Sequence, residues 1–325
     1  MGHLIWPHSK ISVSKLMINP KGSVQGLEEV LLRRYPGIFP VVTSSGRSAI
    51  VIALQVLGLG RADRIGIAPY SSACIFNSVG EIGTPIPDDI QTEKQAHLVN
   101  HQWGYVHKTY STSMVIEDGV ESLVTSSDAL FPNNGRMEIL SLSKLLGVPM
   151  GGVLFCRSSE DASLAREIRD SKRYMALPQF LLCAFSGVIR SALGLWQRSE
   201  SLNGILLDIL CGDIINRLNN FERIVSERRT RLAFVLSQLR PIINLSSEER
   251  LPVAVPIQCS YETALQLSEI GFTSGLRHFN VRLDQSSWFL KKVFPLPIHS
   301  DIAMSNLEAA CRLLTRDPKT ENIIE

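Results

Sequence analysis

The feature that most constrains the fold is a series of short, almost wholly apolar segments that alternate with helical patterns. The apolar segments are residues 41–43, 64–69, 97–101, 114–118, 138–142 and 152–156, and the helical patterns are residues 26–35, 49–57 and 71–80. Strands that are buried on both faces lose the alternation of apolar and polar residues, and intervening helices connect parallel strands. We therefore predict an α/β fold with a mostly parallel central sheet covered by helices.

The pattern changes after residue 158, where long helical segments come first and short extended segments follow. Helices are predicted at residues 160–173, 179–196, 204–239 and 306–315, and strands or loops at residues 251–258, 271–278 and 293–297 and around Arg282. This mixture predicts a second, α+β domain. The predicted division is an arm at residues 1–25, a large α/β domain at residues 26–225 and a small α+β domain at residues 226–325.

Composition excludes several classes of protein. The chain has 33 Lys and Arg against 31 Asp and Glu, so it lacks the basic excess of a nucleic-acid-binding protein. Its six cysteines form no CxxC pair, which argues against a zinc site or a disulfide framework. The longest uncharged runs, residues 65–80 and 174–189, have 16 residues and are too short to span a membrane. No signal peptide is recognised, and we predict a cytoplasmic protein.

Two further patterns suggest a metal site and a membrane contact, but each has a simpler explanation. His97 and His101 have HxxxH spacing, but on a strand they lie about 13 Å apart, too far to share a metal ion. The apolar stretch at residues 174–196 could touch a membrane surface, although no basic polar face accompanies it. We therefore predict no metal site, and a buried or interface helix at residues 174–196.

Lys144 lies in the segment Ser-Leu-Ser-Lys at residues 141–144, directly after a predicted strand. A lysine amine in an apolar site can lose its proton and condense with a carbonyl group. Ser141 and Ser143 could donate hydrogen bonds to a neighbouring anion. The alternative is an exposed turn lysine beside a serine that caps a helix.

Asp118 and the serine-rich turn at residues 44–48 offer two more chemical groups. Asp118 ends an apolar strand, where α/β proteins bind ligands, and it could hold a proton on a heteroaromatic nitrogen. Ser44, Ser45, Gly46, Arg47 and Ser48 open a helix, where backbone N–H groups and hydroxyls bind phosphate. The alternatives are a carboxylate that caps a turn and an ordinary serine N-cap.

The three groups together match the needs of pyridoxal 5'-phosphate (PLP). A lysine can hold its aldehyde, a carboxylate can keep its pyridine nitrogen protonated, and hydrogen-bond donors can bind its phosphate. The sequence therefore predicts PLP as the cofactor, with Lys144 and Asp118 as the catalytic residues.

Several motifs occur in a fixed order along the chain. They are SGRSAI at residues 45–50, APY at 68–70, NSV at 77–79, VNHQWG at 99–104, IEDGVE at 116–121, LSLSK at 140–144 and MGG at 150–152, with residues 271–279 and 294–299 near the C-terminus. This set resembles the fold-type-I PLP enzymes, and among them the DegT-type sugar aminotransferases of surface-polysaccharide and antibiotic-sugar pathways. The resemblance covers most of residues 26–310.

The resemblance implies an aminotransferase that moves an amino group from a glutamate-like amino acid to a nucleotide-linked keto-sugar. It also implies a homodimer in which the two subunits share their active sites. The cofactor residues expected from the motifs and from the sheet edge are Ser45, Gly46, Arg47, Ser48, Ser72, His101, Asp118, Glu121, Ser141, Ser143 and Lys144. His278 and Phe279 are expected to line the substrate site.

The chain departs from the family pattern at three of these positions. Arg47 replaces a threonine, and Glu121 replaces a glutamine, which changes the charge beside the cofactor ring. Ser72 occupies the slot of the aromatic residue that stacks on the ring, with Tyr70 and Phe76 nearby. Two alternatives therefore remain: another PLP-dependent reaction, either sugar dehydration or amino-acid condensation, or a non-catalytic protein that retains the fold.

Overall fold

The structure is a computed structural model, and it describes residues 5–7, 22–109, 114–171, 204–245, 247–282 and 288–320. The helix predicted at residues 179–196 lies outside the described residues, and so does most of the predicted arm. Within the described part, helices and strands alternate as the sequence predicts, and the α/β class is confirmed.

A seven-stranded sheet forms the centre of the molecule. Its strands are β1 (Phe39–Thr43), β2 (Arg64–Ile67), β3 (Thr84–Pro87), β4 (Ala96–Asn100), β5 (Met114–Asp118), β7 (Met137–Ser141) and β8 (Gly152–Cys156). Their spatial order is β1-β8-β7-β5-β4-β2-β3. Only β8 runs antiparallel to its neighbours, β1 and β7, so the sheet is mostly parallel, as predicted.

The helices explain why the strands are apolar throughout. In chain order they are α1 (Val24–Arg34), α2 (Gly46–Val56), α3 (Ala73–Gly80), α4 (Leu142–Leu146), α5 (Ser159–Asp170), α6 (Asp208–Asn219), α7 (Phe221–Gln238), α8 (Tyr261–Glu269) and α9 (Met304–Thr315). Alternate residues of one strand belong to two separate hydrophobic clusters: Leu154 to one, and Val153 and Phe155 to the other. Both faces of the sheet are therefore covered.

The C-terminal part contains a smaller antiparallel sheet. Strands β10 (Ala254–Ile257), β11 (Arg277–Arg282) and β12 (Trp288–Pro297) have the order β10-β12-β11, and β9 (Arg250–Pro252) pairs with β6 (Ser122–Val124). The predicted boundary between residues 225 and 226 falls inside α7, and the division into two domains stays a prediction. Among the described helices, none has both the length and the apolar character needed to cross a membrane.

Candidate active site

The residues selected from the sequence lie at the ends of neighbouring strands. Gly152 pairs with Thr43 at the end of β1 and with Ser141 at the end of β7. On the other side of β7, β5 ends at Asp118, which pairs with Asn100 at the end of β4. Parallel strands end at one edge of the sheet, so the serine turn, Lys144 and Asp118 all start from this edge.

The serine turn forms a compact network of hydroxyl groups at the start of α2. The Ser45 side chain caps the helix by accepting a hydrogen bond of 3.2 Å from the Ser48 N–H. The Ser48 hydroxyl lies 2.7 Å from the Ser44 hydroxyl. Gly46 and the buried Arg47 belong to the first turn of the same helix. Backbone N–H groups and hydroxyls at a helix N-terminus suit a phosphate dianion.

Gly152 allows this turn to pack directly against β8. A Cβ atom on Gly152 would lie 2.4 Å from the Ser45 carbonyl carbon and 2.7 Å from the Gly46 nitrogen. Both are backbone atoms, so they could not move aside alone. The Gly151 N–H also donates a hydrogen bond of 2.9 Å to the Ser44 carbonyl. The serine turn is therefore held in place by backbone contacts with β8.

Replacement of Gly152 by alanine should therefore displace the serine turn. We expect Gly152→Ala to lower the free energy of unfolding by about 1–3 kcal/mol, the usual cost of overpacking, and to weaken PLP binding. Urea unfolding and a cofactor titration would measure the two effects. Gly80→Ala is the matched control, since a Cβ at Gly80 meets no atom within 4 Å. Equal stability and affinity in both variants would contradict the expectation.

Asp118 is buried and accepts two hydrogen bonds. Asn100 Nδ2 donates to Oδ2 over 2.8 Å, and the Val120 N–H donates to Oδ1 over 3.2 Å. Burial raises the pKa of Asp118 above its usual value, although the Asn100 hydrogen bond and the Lys144 charge oppose the change. A carboxylate held in this way favours a cationic N–H partner such as a protonated pyridine.

Lys144 follows the serine cap of the short helix α4. Its backbone N–H donates a hydrogen bond of 3.4 Å to the Ser141 hydroxyl, which lies 3.0 Å from the Ser143 hydroxyl. The amine donates a hydrogen bond of 2.9 Å to Glu121 Oε1, and the lysine side chain is 28% exposed. The lysine side chain is therefore partly open to solvent, while a carboxylate holds its amine.

Glu121 is fixed from its other side by backbone. Its Oε2 accepts a hydrogen bond of 3.0 Å from the Trp103 N–H. Burial lowers the pKa of Lys144, but the Glu121 charge, with contributions from Cys74 and Asp118, outweighs that effect and the net pKa is raised. The Trp6 ring lies 4.7 Å from the Lys144 amine and further favours the cation. Lys144 is therefore stabilised in its protonated form.

Two other predicted cofactor residues have different surroundings. His101 is fully buried: its Nδ1 accepts a hydrogen bond of 3.2 Å from the His107 N–H, and its Nε2 lies 2.9 Å from Glu117 Oε2. The structure thus brings the His101 side chain to Glu117, while the His101 backbone N–H donates a hydrogen bond of 2.9 Å to the Asp118 carbonyl. Ser72 is exposed at the start of α3, with its hydroxyl 3.0 Å from Cys74 Sγ. Their roles as cofactor residues stay predictions.

The two predicted substrate residues are neighbours on β11 but differ in exposure. His278 is exposed, and its ring stacks on the exposed ring of Tyr70 at 5.1 Å. Phe279 is fully buried and packs between Trp103, at 5.2 Å, and Tyr105, at 5.5 Å. Of the two side chains, only His278 is free to meet a ligand in this arrangement.

Sequence reasoning missed three residues of the site. Asn100 ends a strand beside Asp118, and that position was the available signal. Trp103 presents its N–H to Glu121 in a left-handed conformation with φ of 55°, which no pattern indicates. Trp6 lies in a segment without periodicity, where the apolar run Leu-Ile-Trp at residues 4–6 was the only hint.

Solved structures share this architecture at low sequence identity. The aminotransferase TlmJ from Streptoalloteichus hindustanus has a TM-score of 0.65 and 15% identity, over 97% of this chain and 98% of that one. DesV from S. venezuelae has a TM-score of 0.63 and 14% identity, over 96% and 95%. The GDP-4-keto-6-deoxymannose-3-dehydratase ColD has a TM-score of 0.64 and 13% identity, over 95% and 100%. The fold is therefore that of the fold-type-I PLP enzymes.

The sequence itself identifies the family. Residues 29–311 match the family described as "Putative PLP-dependent aminotransferase". The chain belongs to this family of PLP-dependent aminotransferases, and the resemblance inferred from its motifs is confirmed. No curated protein matches the sequence.

The residues at the sheet edge fit the PLP cofactor of this family. A hydroxyl-lined helix N-terminus, a buried carboxylate and a lysine amine match its phosphate, its ring nitrogen and its aldehyde in charge and chemistry. The hydroxyl network and the close contact with Gly152 form the part of the site that would hold the phosphate.

Proposed function

We propose that this aminotransferase transfers an amino group from a glutamate-like amino acid to a nucleotide-linked keto-sugar. The main observation in support of this chemistry is that Lys144 lies at the same sheet edge as Asp118 and the serine turn. The sugar acceptor is supported by the fold-level likeness to sugar-modifying enzymes and by the ordered DegT-type motifs. We further propose a cytoplasmic role in surface-polysaccharide or antibiotic-sugar synthesis.

Each group of residues has a separate task in this proposal. Bound PLP supplies an aldehyde that accepts the amino group and a ring that withdraws electrons. Ser45, Gly46, Arg47, Ser48, Ser141 and Ser143 would hold the phosphate. Asp118 would keep the ring nitrogen protonated. The Lys144 amine would take a proton from the substrate carbon and return it, as general base and then general acid.

The exposed pair of Tyr70 and His278 supports the position of the acceptor. Tyr70 lies just beyond the end of β2, and Asn280 Nδ2 donates a hydrogen bond to the Pro69 carbonyl beside it. The small sheet is thereby attached to the edge where Asp118 lies. Stacked, exposed rings give a flat surface against which a sugar or a base can pack.

Product analysis tests the function directly. The purified protein would be loaded with PLP and incubated with glutamate and a nucleotide-linked 4-keto-sugar. Transamination yields 2-oxoglutarate and an amino-sugar in equal amounts. A keto-sugar that has lost a hydroxyl group, formed in place of the amino-sugar, would mean dehydration, which the likeness to ColD makes the second candidate. No cofactor absorbance and no product would favour a non-catalytic protein.

We also propose that the protein is a homodimer whose two subunits share their active sites, as the resemblance to the DegT-type family implies. Sedimentation at several concentrations would give the oligomeric state. Mixed dimers of two inactive variants, altered in different parts of the site, would regain activity only if one site draws on both subunits. Monomers with full activity would contradict this proposal.

Glu121 should set the pH at which Lys144 becomes reactive. Glu121→Gln removes the charge that raises the pKa of Lys144, so the pKa should fall. A larger fraction of the amine is then neutral at pH 7, and capture of PLP should be faster. The rate of capture, followed by visible absorbance between pH 6 and pH 10, should show its midpoint at lower pH than in the wild type.

Two further variants would show whether the shift in midpoint is caused by the charge of Glu121. Glu262→Gln removes an exposed carboxylate from the first turn of α8 and should leave the midpoint unchanged. Glu121→Asp keeps the charge and should retain a midpoint nearer to that of the wild type. An unchanged midpoint in Glu121→Gln would show that Glu121 does not govern the amine.

A further inference from the structure

A polar cavity of about 340 Å³ lies between α4, α6 and α7. Leu145, Leu146 and Gly147 line it at the end of α4, and Pro7 lines it beside Trp6. Among the described residues that line it, neither Lys144 nor Asp118 nor Glu121 is included. The cavity is therefore a separate space, although it shares α4 with the catalytic lysine.

Arg228, on α7, lines this cavity and is 2% exposed. Within the part of the chain that the structure describes, its Nε and Nη1 have no hydrogen-bond partner. Burial lowers its pKa to about 10, so the guanidinium remains charged at neutral pH. A buried charge that lacks a counter-charge is strongly unfavourable, and proteins normally pair it.

Four other charged residues around the cavity form two pairs with one another. Arg217 Nε lies 3.0 Å from Asp213 Oδ2, and its Nη1 donates a hydrogen bond of 2.7 Å to the Leu146 carbonyl. Arg223 Nε lies 4.0 Å from Glu227 Oε1.

Burial lowers the pKa of Arg231, a cation on the same helix as Arg228, and the Glu227 and Asp301 carboxylates oppose that change. Burial is the cause of the lowered pKa of Arg228. Three arginines and three acids line the cavity, and Arg228 is the one of these arginines that forms no ion pair with a carboxylate of the described residues.

We propose that this cavity binds a small molecule through a carboxylate or phosphate group that pairs with Arg228. An arginine fork suits either oxyanion, and such pairs are strong when they are shielded from water. The volume is at the lower end of small-molecule sites. Asn216, Asn220 and Ser300 line the rest of the cavity and can bind the polar remainder of the molecule. This site goes beyond the proposed transamination and does not depend on it.

The test uses PLP-saturated protein, so that the cofactor's own phosphate site is filled. The unfolding temperature would be measured against inorganic phosphate and, separately, against citrate, with chloride keeping the ionic strength constant. Binding to the folded state raises the unfolding temperature. We expect one of the two anions to do so in the wild type, and Arg228→Met to weaken that response about tenfold or more. The anion that acts identifies the group as phosphate or carboxylate.

Arg229→Met is the matched control, because Arg229 is the next residue on α7 and is exposed. It should respond as the wild type does. In chloride alone, Arg228→Met should unfold at the wild-type temperature or above it, because an unpaired buried charge has been removed. Arg228→Lys keeps the charge without the fork, and it should show a weakened response even if the methionine variant fails to fold.

Three results would overturn the proposal. They are no response to either anion in the wild type, an equal response in Arg228→Met, and a large fall in the unfolding temperature of Arg228→Met in chloride. The last would mean that the guanidinium is already paired, for example with a second copy of the chain. PLP absorbance reports cofactor binding independently, so a failure of the proposed function would be recognised separately.

Discussion

Lys144→Ala should abolish transamination while the protein stays folded and still binds PLP weakly. The variant loses the amine that would hold the aldehyde and carry the proton, and acid–base catalysis alone contributes about 10²–10⁴-fold. The serine turn and Asp118 remain to hold the phosphate and the ring. Initial rates of 2-oxoglutarate formation and a PLP titration would measure the two effects.

Reduction with borohydride would show whether Lys144 is the anchor. In the wild type, the cofactor should be fixed to the peptide that contains Lys144. Lys319→Ala, which removes an exposed lysine, should behave like the wild type in rate and in labelling. Added methylamine should partly restore turnover in Lys144→Ala, since a small amine fits the space left by the side chain. Full activity in the variant, or labelling of another lysine, would refute the assignment.

Asp118→Asn should reduce turnover by about 10²- to 4 × 10³-fold with little loss of stability. Removal of one partner from a buried ion pair costs about 3–5 kcal/mol, and each 1.4 kcal/mol is a factor of ten in rate. Asparagine has the same shape but cannot hold the proton of the pyridine nitrogen. It can also keep one of the two hydrogen bonds that Asp118 accepts from Asn100 and Val120.

The absorbance spectrum gives a second readout for Asp118. The bound cofactor in Asp118→Asn should absorb at a different wavelength, because its ring loses the stabilised proton. Asp128→Asn, an exposed aspartate, should change neither rate nor spectrum. A wild-type spectrum in Asp118→Asn would show that the carboxylate does not face the ring, whatever the rate.

The positions of the central strands were predictable because strands buried on both faces consist mainly of apolar residues. Strand β8 is apolar throughout, β5 is apolar up to its two final carboxylates, and both keep their predicted bounds. Strand β3 was missed, since its sequence Thr-Pro-Ile-Pro contains two prolines and suits only an edge strand. Strand β6 has three residues and depends on pairing with β9, a distant segment. Helix α8 was missed as well, because it lies between two segments interpreted as strands or loops and was itself given no assignment.

Asp118 and Lys144 could be predicted as site residues because each lies at or just after the end of a predicted strand. Contacts that depend on the direction of a side chain could not be predicted as well. In a strand, successive side chains point to opposite faces, so neighbouring residues meet different partners. Asn100 meets Asp118 and His101 meets Glu117, although the two residues are adjacent. Contacts from distant segments, such as Trp6 on Lys144, leave no periodic signal.

The antiparallel strand β8 has a consequence for how the site can be altered. It lies between β1 and β7, so the backbone that begins the serine turn and the backbone that carries Lys144 are joined through it by two ladders of hydrogen bonds. The spacing between the two expected anchors of the cofactor is thus fixed by main chain. Substitution of serines in the serine turn would change the affinity for the cofactor without changing the distance between its two anchors. Changes within β8 would alter the length of cofactor that the protein accepts, so engineering of substrate choice should leave this strand intact.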